Sequence, residues 1–268
     1  LTEVVKYGWT QEELDFVRDC FQEYRHSEVW DRFPNIPRST ISTRAGKEGW
    51  RRTAADYAVH QSALLDHNIF DELTPLNAYI GGVLCSDGCM YGNTIKLEMS
   101  ALDKDYVENL GKLISPNLKL EYRAATNAVS WRFSSKRACE QLNRHFNMTP
   151  KKSLTLQPPN LSEESHIKAY ILGQWDGDGS AYYHRKHKNT TYLDMSFGCA
   201  SLDMVEWVAD NLPVPARVER DNRDKYEHGF WQVRYYGKNA AVLQDYLYDP
   251  SLPCLDRKWN LPWKRELQ

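Results

Sequence analysis

From residue 75 onward the chain repeats itself, and this repetition limits its possible folds more than any other feature. The first copy reads Tyr79-Ile-Gly-Gly-Val-Leu-Cys-Ser-Asp87-Gly88, and the second reads Tyr170-Ile-Leu-Gly-Gln-Trp-Asp-Gly-Asp178-Gly179. Each is an apolar helical segment that ends in an acid followed by glycine, a residue suited to a helix stop. Hairpins should follow, because Ile95 to Met99 and Leu193 to Phe197 alternate apolar with polar residues. Helical patterns come next over 102–114 and 202–212. Two further strands then lead to Trp131-Arg-Phe-Ser-Ser-Lys136 and Val233-Arg-Tyr-Tyr-Gly-Lys238, and each lysine opens a last helix, 137–146 and 239–248. The spacing therefore predicts an α+β fold of two αββαββα halves. Thr149 to Ser153 and Gln157 to Asn160 read as the linker between them.

The segment before the repeat has a different character. Thr10 precedes Gln11, Glu12 and Glu13 in a capping-box arrangement, and Leu14, Val17, Phe21 and Tyr24 recur at helical spacing. A second helix over 27–33 and a third over 39–47 follow, with Pro34 and Pro37 as breakers and Trp50 available to close a small core. Three short helices with the basic one last is the layout of a helix-turn-helix module, and the segment resembles the Myb-like and phage-type modules of that class. The DNA-contact candidates here are Arg38, Ser39, Thr40, Ser42, Thr43, Arg44, Lys47, Arg51 and Arg52. The domains expected are thus a helical module over 1–70, a first half over 71–152 and a second half over 153–268.

At 268 residues and 41% apolar content the chain can fill real cores. It holds no apolar run near the roughly 20 residues a bilayer requires. The six cysteines are scattered and no signal peptide opens the sequence, so an intracellular, soluble protein with reduced thiols and no membrane partner is expected, cytoplasmic if bacterial or phage. A net charge of −2 argues against a simple basic nucleic-acid binder, yet Arg185, Lys186 and Lys188 sit in a stretch without a single acid. Such patches can contact phosphates whatever the whole-chain sum, although each by itself reads as readily as a solvated loop.

If the two apolar helices pack together, Asp87 and Asp178 arrive at one end of their interface, and Gly82 and Gly173 let the backbones come close. Two carboxylates on a pseudo-two-fold axis suit a hard divalent cation, Mg²⁺ first, with Mn²⁺ or Ca²⁺ able to substitute for binding. That chemistry fits phosphodiester hydrolysis. By itself Asp176-Gly-Asp178-Gly179 reads as a turn, and the repetition is what raises it above one. An EF-hand fits poorly, since 180–187 supplies neither the further oxygen ligands nor the closing glutamate. Cys85 and Cys89 lack a second pair at zinc spacing and read as packed or free thiols.

These two segments resemble the paired motifs of LAGLIDADG homing endonucleases, and the resemblance covers roughly 75–268, with Thr149 to Ser153 like the family's linker and Cys254 to Trp259 like its ending. It implies that Asp87 and Asp178 bind catalytic metal, that the carbonyls of Ser86 and Gly177 supplement them, and that Lys136 and Lys238 stand near the scissile phosphates. Glu98 and Ser196 would complete the pocket; for Glu98 an ordinary outward strand position is an equal reading. The resemblance further implies two curved sheets forming a saddle on the major groove. Lys96, Lys119, Arg123 and Arg132 would face DNA from the first half, and Tyr183, Arg185, Lys186, Lys188, Ser196, Arg234 and Tyr236 from the second. The implied activity is that of a monomeric, site-specific, Mg²⁺-dependent double-strand DNA endonuclease associated with intron mobility, cutting across the minor groove to leave short 3′ overhangs. A non-cleaving DNA-binding regulator and an intron RNA maturase are the alternatives on the same fold. The sequence departs from the family pattern at the sixth motif position, Cys85 in one copy and Asp176 in the other, which puts equivalence of the half-sites in question.

Overall fold

The computed structural model describes residues 8–23, 25–51, 65–186, 190–221 and 229–260. The chain divides into two compact units, 1–63 and 64–268. Arg52 and Lys188 lie outside the described residues, as do the side chains of Arg185 and Lys186. Among the described residues no helix is long and apolar enough to cross a membrane.

The first unit contains α1 (Gln11–Gln22), α2 (His26–Arg32) and α3 (Arg38–Lys47). Thr10 Oγ1 accepts from the Glu13 amide and the Glu13 carboxylate accepts from the Thr10 amide, so the expected capping box closes α1. Val17, Cys20, Phe21, Val29, Ile41 and Ala45 are buried together, and Trp9, Phe33 and Trp50 pack around them. The basic α3 turns Ile41 and Ala45 inward, leaving Arg38, Ser39, Thr43 and Lys47 exposed.

In the second unit the same order of elements occurs twice. The first half runs α4 (Pro75–Ser86), β1 (Gly88–Tyr91), β2 (Thr94–Ser100), α5 (Lys104–Ile114), β3 (Glu121–Arg123), β4 (Ala128–Ser134) and α6 (Lys136–Phe146). The second half runs α7 (Glu164–Asp178), β5 (Ser180–Lys186), β6 (Thr190–Cys199), α8 (Leu202–Asp210), β7 (Val218–Arg220), β8 (Trp231–Tyr236), α9 (Lys238–Leu247) and a closing turn of helix, α10 (Asp256–Trp259). Both sheets are antiparallel, ordered β1-β2-β4-β3 and β5-β6-β8-β7, so topology as well as element order repeats. The second hairpin is the longer.

Strand alternation decides which face meets the helices. Ile95, Leu97 and Met99 of β2 are buried, as are Leu193, Met195 and Phe197 of β6, with Val233 and Tyr235 of β8. Opposite these, α5 buries Tyr106, Val107, Leu110 and Ile114 at helical spacing. Trp131 Nε1 donates to the Val107 carbonyl at 2.9 Å and ties that helix to its sheet. Both halves share one continuous hydrophobic core with α4 and α7 at its centre, so 152/153 is a symmetry boundary inside one compact unit. Buried on nearly every side, α4 has no polar face: Ala78 through Cys85 are all buried. Thr74 caps it, accepting from the Asn77 amide, and Pro75 occupies its first turn, where a missing amide proton costs nothing.

Candidate functional site: twin acids at a helix junction

The crossing of α4 and α7 is a glycine contact with reciprocal geometry. A Cβ on Gly82 would collide with the Tyr170 carbonyl oxygen and lie 3.0 Å from the Gln174 amide nitrogen. One on Gly173 would collide with the Tyr79 carbonyl oxygen and lie 3.0 Å from the Val83 nitrogen. Each glycine thus meets the equivalent backbone of the other helix, which is what a two-fold axis through the interface requires. Past this crossing both helices end at their acids. Asp87 closes α4 as its C-cap, Asp178 is the last residue of α7, and Asp87 Oδ2 lies 3.0 Å from where a Cβ on Gly177 would stand.

Burial among densely packed protein pushes both carboxyls upward, although the Asp178 side chain opens to solvent on one side. Asp178 reaches about 6, from burial first and the Asp87 charge second. Lys152 and Lys258 oppose the rise at both acids.

Those two lysines are buried and bound to the helix ends. Lys152 Nζ donates to the Ser86 carbonyl at 2.8 Å. Lys258 Nζ lies 2.6–2.9 Å from the carbonyl oxygens of Trp175, Asp176, Gly177 and Gly179. These carbonyls cluster at a helix C-terminus, where a cation is favoured by hydrogen bonding and by the helix dipole. Burial lowers Lys258 to about 8, while carbonyls that accept only from N–H favour its charged form, so it is an ammonium at neutral pH.

The lysines assigned from sequence occupy other places. Lys136 opens α6 on the surface beside Glu140, and Lys238 opens α9, exposed; neither is among the cations whose charge moves Asp87 or Asp178. The signal missed was the close of each repeat, Pro150-Lys-Lys152-Ser and Asp256-Arg-Lys258-Trp. Their spacing from the acids differs between copies, which hid the correspondence. Ser86 and Gly177 expose their carbonyls at the acids as expected, but in each case an ammonium already uses one of the two lone pairs.

Asp176, equivalent to Cys85, is also part of this end of the molecule. Its buried carboxylate accepts from Tyr79 Oη at 2.6 Å, Trp259 Nε1 at 2.6 Å and the Leu255 amide at 3.0 Å, while Tyr79 Oη also meets Tyr106 Oη at 2.7 Å. A carboxylate with three donors is well satisfied, and here it fastens the 252–260 segment that carries Lys258. Arg257 makes a two-point pair with Asp103 at 2.7 and 2.9 Å and holds the same segment to the first half. Cys85 meets only the Tyr170 hydroxyl, the counterpart of Tyr79, and its thiol faces the Phe146 carbonyl at 3.7 Å, so it fastens no returning segment. The half-sites therefore differ in how their lysines are supported.

On the open face of the first sheet, Lys96, Arg123 and Glu98 form one ion cluster, Lys96–Glu98 at 2.6 Å and Arg123–Glu98 at 3.4 Å. Lys96 holds the Glu98 carboxyl below the usual range. Lys119 belongs to the connection before β3. On the second sheet Ser196, Arg234 and Tyr236 share the open face, where Ser196 Oγ bonds Ser180 Oγ at 2.7 Å. Tyr183 does not join them: it packs against the hydrophobic core, and its neighbour Tyr182 takes the open face beside Arg234. Cys85 is buried and Cys89 exposed, both unbridged, and among the described residues no group of three or more His, Cys, Asp or Glu gathers at metal distance.

Fold and cluster together define a pseudo-two-fold α+β protein with twin acidic helix ends, each joined by a buried lysine. Solved structures similar to the chain are LAGLIDADG homing endonucleases. Among them is I-LtrWI bound to target DNA, with 12% identity, 72% of this chain and 89% of that one covered, and a TM-score of 0.49. The meganuclease I-AabMI bound to uncleaved DNA gives 12%, 70%, 87% and 0.49. I-SmaMI bound to an uncleaved DNA target in the presence of calcium ions gives 10%, 72%, 90% and 0.49. No protein-family model and no curated protein matches the sequence.

Proposed function

We propose that the chain is a site-specific double-strand DNA endonuclease of the LAGLIDADG homing type. The observation that carries this reading is the meeting of Asp87 and Asp178 at the two-fold junction of α4 and α7, each with a buried lysine on the adjoining carbonyls. A pure binding protein gains nothing from two carboxylates placed where they raise each other's cost of ionisation and repel phosphate. An enzyme that loads a cation there does.

The residues present fit a hard divalent ion: burial and mutual repulsion leave two acids in want of positive charge, and ions such as Mg²⁺ need only one or two carboxylates besides water and substrate oxygens. Asp87 and Asp178 would hold it, with the free lone pairs of the Ser86 and Gly177 carbonyls beside them. Bound there, such an ion supplies Lewis-acid neutralisation of the phosphate and acidifies water. Lys152 and Lys258 bring fixed ammonium groups to the same end of the interface, where negative charge develops as a phosphodiester is attacked; being preorganised, they reorient little during reaction. The two sheets present Lys96, Arg123, Arg132, Arg234 and Tyr236 on their open faces as contacts for duplex DNA. We assign α3 of the first unit, with Arg38, Ser39, Thr43 and Lys47 outward, to additional DNA contact that raises affinity through effective concentration.

The test is cleavage of a randomised duplex pool by the full chain with Mg²⁺, followed by sequencing of the cut products. Discrete double-strand cuts that vanish in Asp87→Asn and in Asp178→Asn are expected. Cutting by both variants at the parent rate overturns the assignment of the acids, and sequence-selective binding without cutting by the parent chain makes it a regulator instead.

A further inference from the structure

The open face of the second sheet contains a carboxylate that neither catalysis nor packing explains. Asp194 pairs with Tyr182 on β5 and Tyr236 on β8, so its side chain belongs to the face opposite the core, yet it is 1% exposed. It lies beneath Arg234, whose Nη2 is 3.3 Å from Asp194 Oδ2 and 3.2 Å from Tyr182 Oη, and beneath His184, whose Nε2 is 3.2 Å from the same carboxylate oxygen. The Arg234 guanidinium also lies 5.6 Å above the Tyr236 ring. Among the described residues, two atoms in this buried layer have no partner, Asp194 Oδ1 and Arg234 Nε.

An acid on a face meant for phosphate works against affinity. What it does provide is a fixed direction for the guanidinium, held from below by Asp194 and from the sides by Tyr182 and Tyr236. A guanidinium so held leaves its outer N–H groups in a plane of set orientation, which suits the O6 and N7 acceptors of guanine; a phosphate makes no such demand.

The two-fold counterpart sharpens the point. Arg132 pairs with Lys96 across β2 and β4 as Arg234 pairs with Ser196 across β6 and β8, and both precede the strand end by two residues. Arg132 is held by the Tyr91 hydroxyl, as Arg234 is by Tyr182, and by Glu121 at 2.9 Å; what differs is the acid, since the Arg132–Glu121 pair is 57% and 52% exposed, against 35% and 1% for Arg234 and Asp194. An exposed ion pair is weak and exchanges with water, so it fixes no direction.

We propose that Arg234, oriented by Asp194, reads a single guanine in the major groove of the second half-site, and that Arg132 contacts the equivalent place in the first half-site without comparable discrimination. This rests on the endonuclease reading. Ser180, Ser196 and Arg234 form one row across the sheet, two residues along from Asp178, so the guanine belongs to the base pairs next to the cleavage centre.

The experiment is selection of bound duplexes from a randomised pool in Ca²⁺, using the full chain and its Arg234→Lys, Asp194→Asn and Arg132→Lys variants, with thermal melting as the folding control. The parent chain should select one guanine near the centre on the second side. Both Arg234→Lys and Asp194→Asn should reduce that preference by about 5- to 150-fold, the worth of one bidentate base contact, leaving other positions unchanged, while Arg132→Lys alters no position as strongly. Uniform weakening across all sequences with a shallower salt dependence would make Arg234 a phosphate contact and overturn the proposal. Loss of discrimination in Arg234→Lys but not in folded Asp194→Asn would overturn the role of Asp194. If the parent selects no sequence at all, the endonuclease reading fails and this one with it.

Discussion

Replacing Gly82 by alanine tests the physical basis of the site without touching an acid, a lysine or a DNA contact. The added methyl would collide with the Tyr170 carbonyl oxygen and stand 3.0 Å from the Gln174 nitrogen and 3.1 Å from the Gly173 Cα. All three are backbone atoms of a buried helix, so no side chain can swing aside and the helices themselves must part. Restoring ordinary contact takes a separation of roughly 0.5–1 Å, and a gap of that size forfeits a quarter to a half of the dispersion attraction along the seam. Overpacking of this kind costs about 1–3 kcal/mol. For a unit of this size each kcal/mol lowers Tm by roughly 2–4 °C, so a fall of about 2–12 °C is expected by calorimetry. The acids lie just beyond the crossing, and a displacement near 1 Å is worth about a hundredfold in rate. Gly111→Ala is the control: its methyl would meet Trp131 and Leu118 side chains at 3.1–3.3 Å, away from the acids, so it should lower Tm while leaving cleavage at 25 °C within a few-fold. Parent-like Tm and cleavage in Gly82→Ala would refute the claim that glycine contact sets the spacing of the acids.

Four further outcomes follow from the same geometry. Because the Asp178 carboxyl titrates near 6, above its unfolded value, the native state binds its proton more tightly; stability of the metal-free chain should rise as pH falls from about 7 through 6 toward 4, and this slope should diminish in Asp178→Asn. Divalent ions need the ionised acid, so Ca²⁺ affinity measured by calorimetry should fall over the same window, with proton release on binding; an affinity that holds steady to pH 5 would contradict the assignment. Lys152→Met and Lys258→Met should each slow cleavage by about 10²-fold or more, whereas Lys136→Ala and Lys238→Ala stay within a few-fold; the reverse pattern in single-turnover assays would restore the surface lysines to the chemistry. Asp176→Asn gives the buried network one donor too many and should cost about 1–3 kcal/mol in thermal melts. It should slow the strand cut that depends on Lys258 more than the other, and nicking assays with each strand labelled would show equal slowing if Asp176 were merely structural.

The repeat made the second unit legible because period and parity are local properties. Ile95, Leu97 and Met99, like Leu193, Met195 and Phe197, declare their buried face by alternation alone, and Gly82 with Gly173 declare a close contact because a buried apolar helix has little other use for glycine. What the sequence hid depends on where a chain segment returns in space. Lys152 and Lys258 sit at helix ends reached only after a whole sheet and its helices have been packed, and their unequal spacing from the acids obscures that they are equivalent. Tyr183 was misplaced by one residue because parity in β5 is set by its pairing to β6, with Ser180 opposite Ser196, and nothing local fixes that register. Asp194 read as an ordinary outward polar residue between Leu193 and Met195. It does face outward, but Tyr182, His184, Arg234 and Tyr236 close over it, and only their joint placement turns a solvated acid into a buried one. In a half-buried sheet, alternation tells which face a polar residue takes; whether that residue meets water, DNA or a neighbour is decided by the strands on either side.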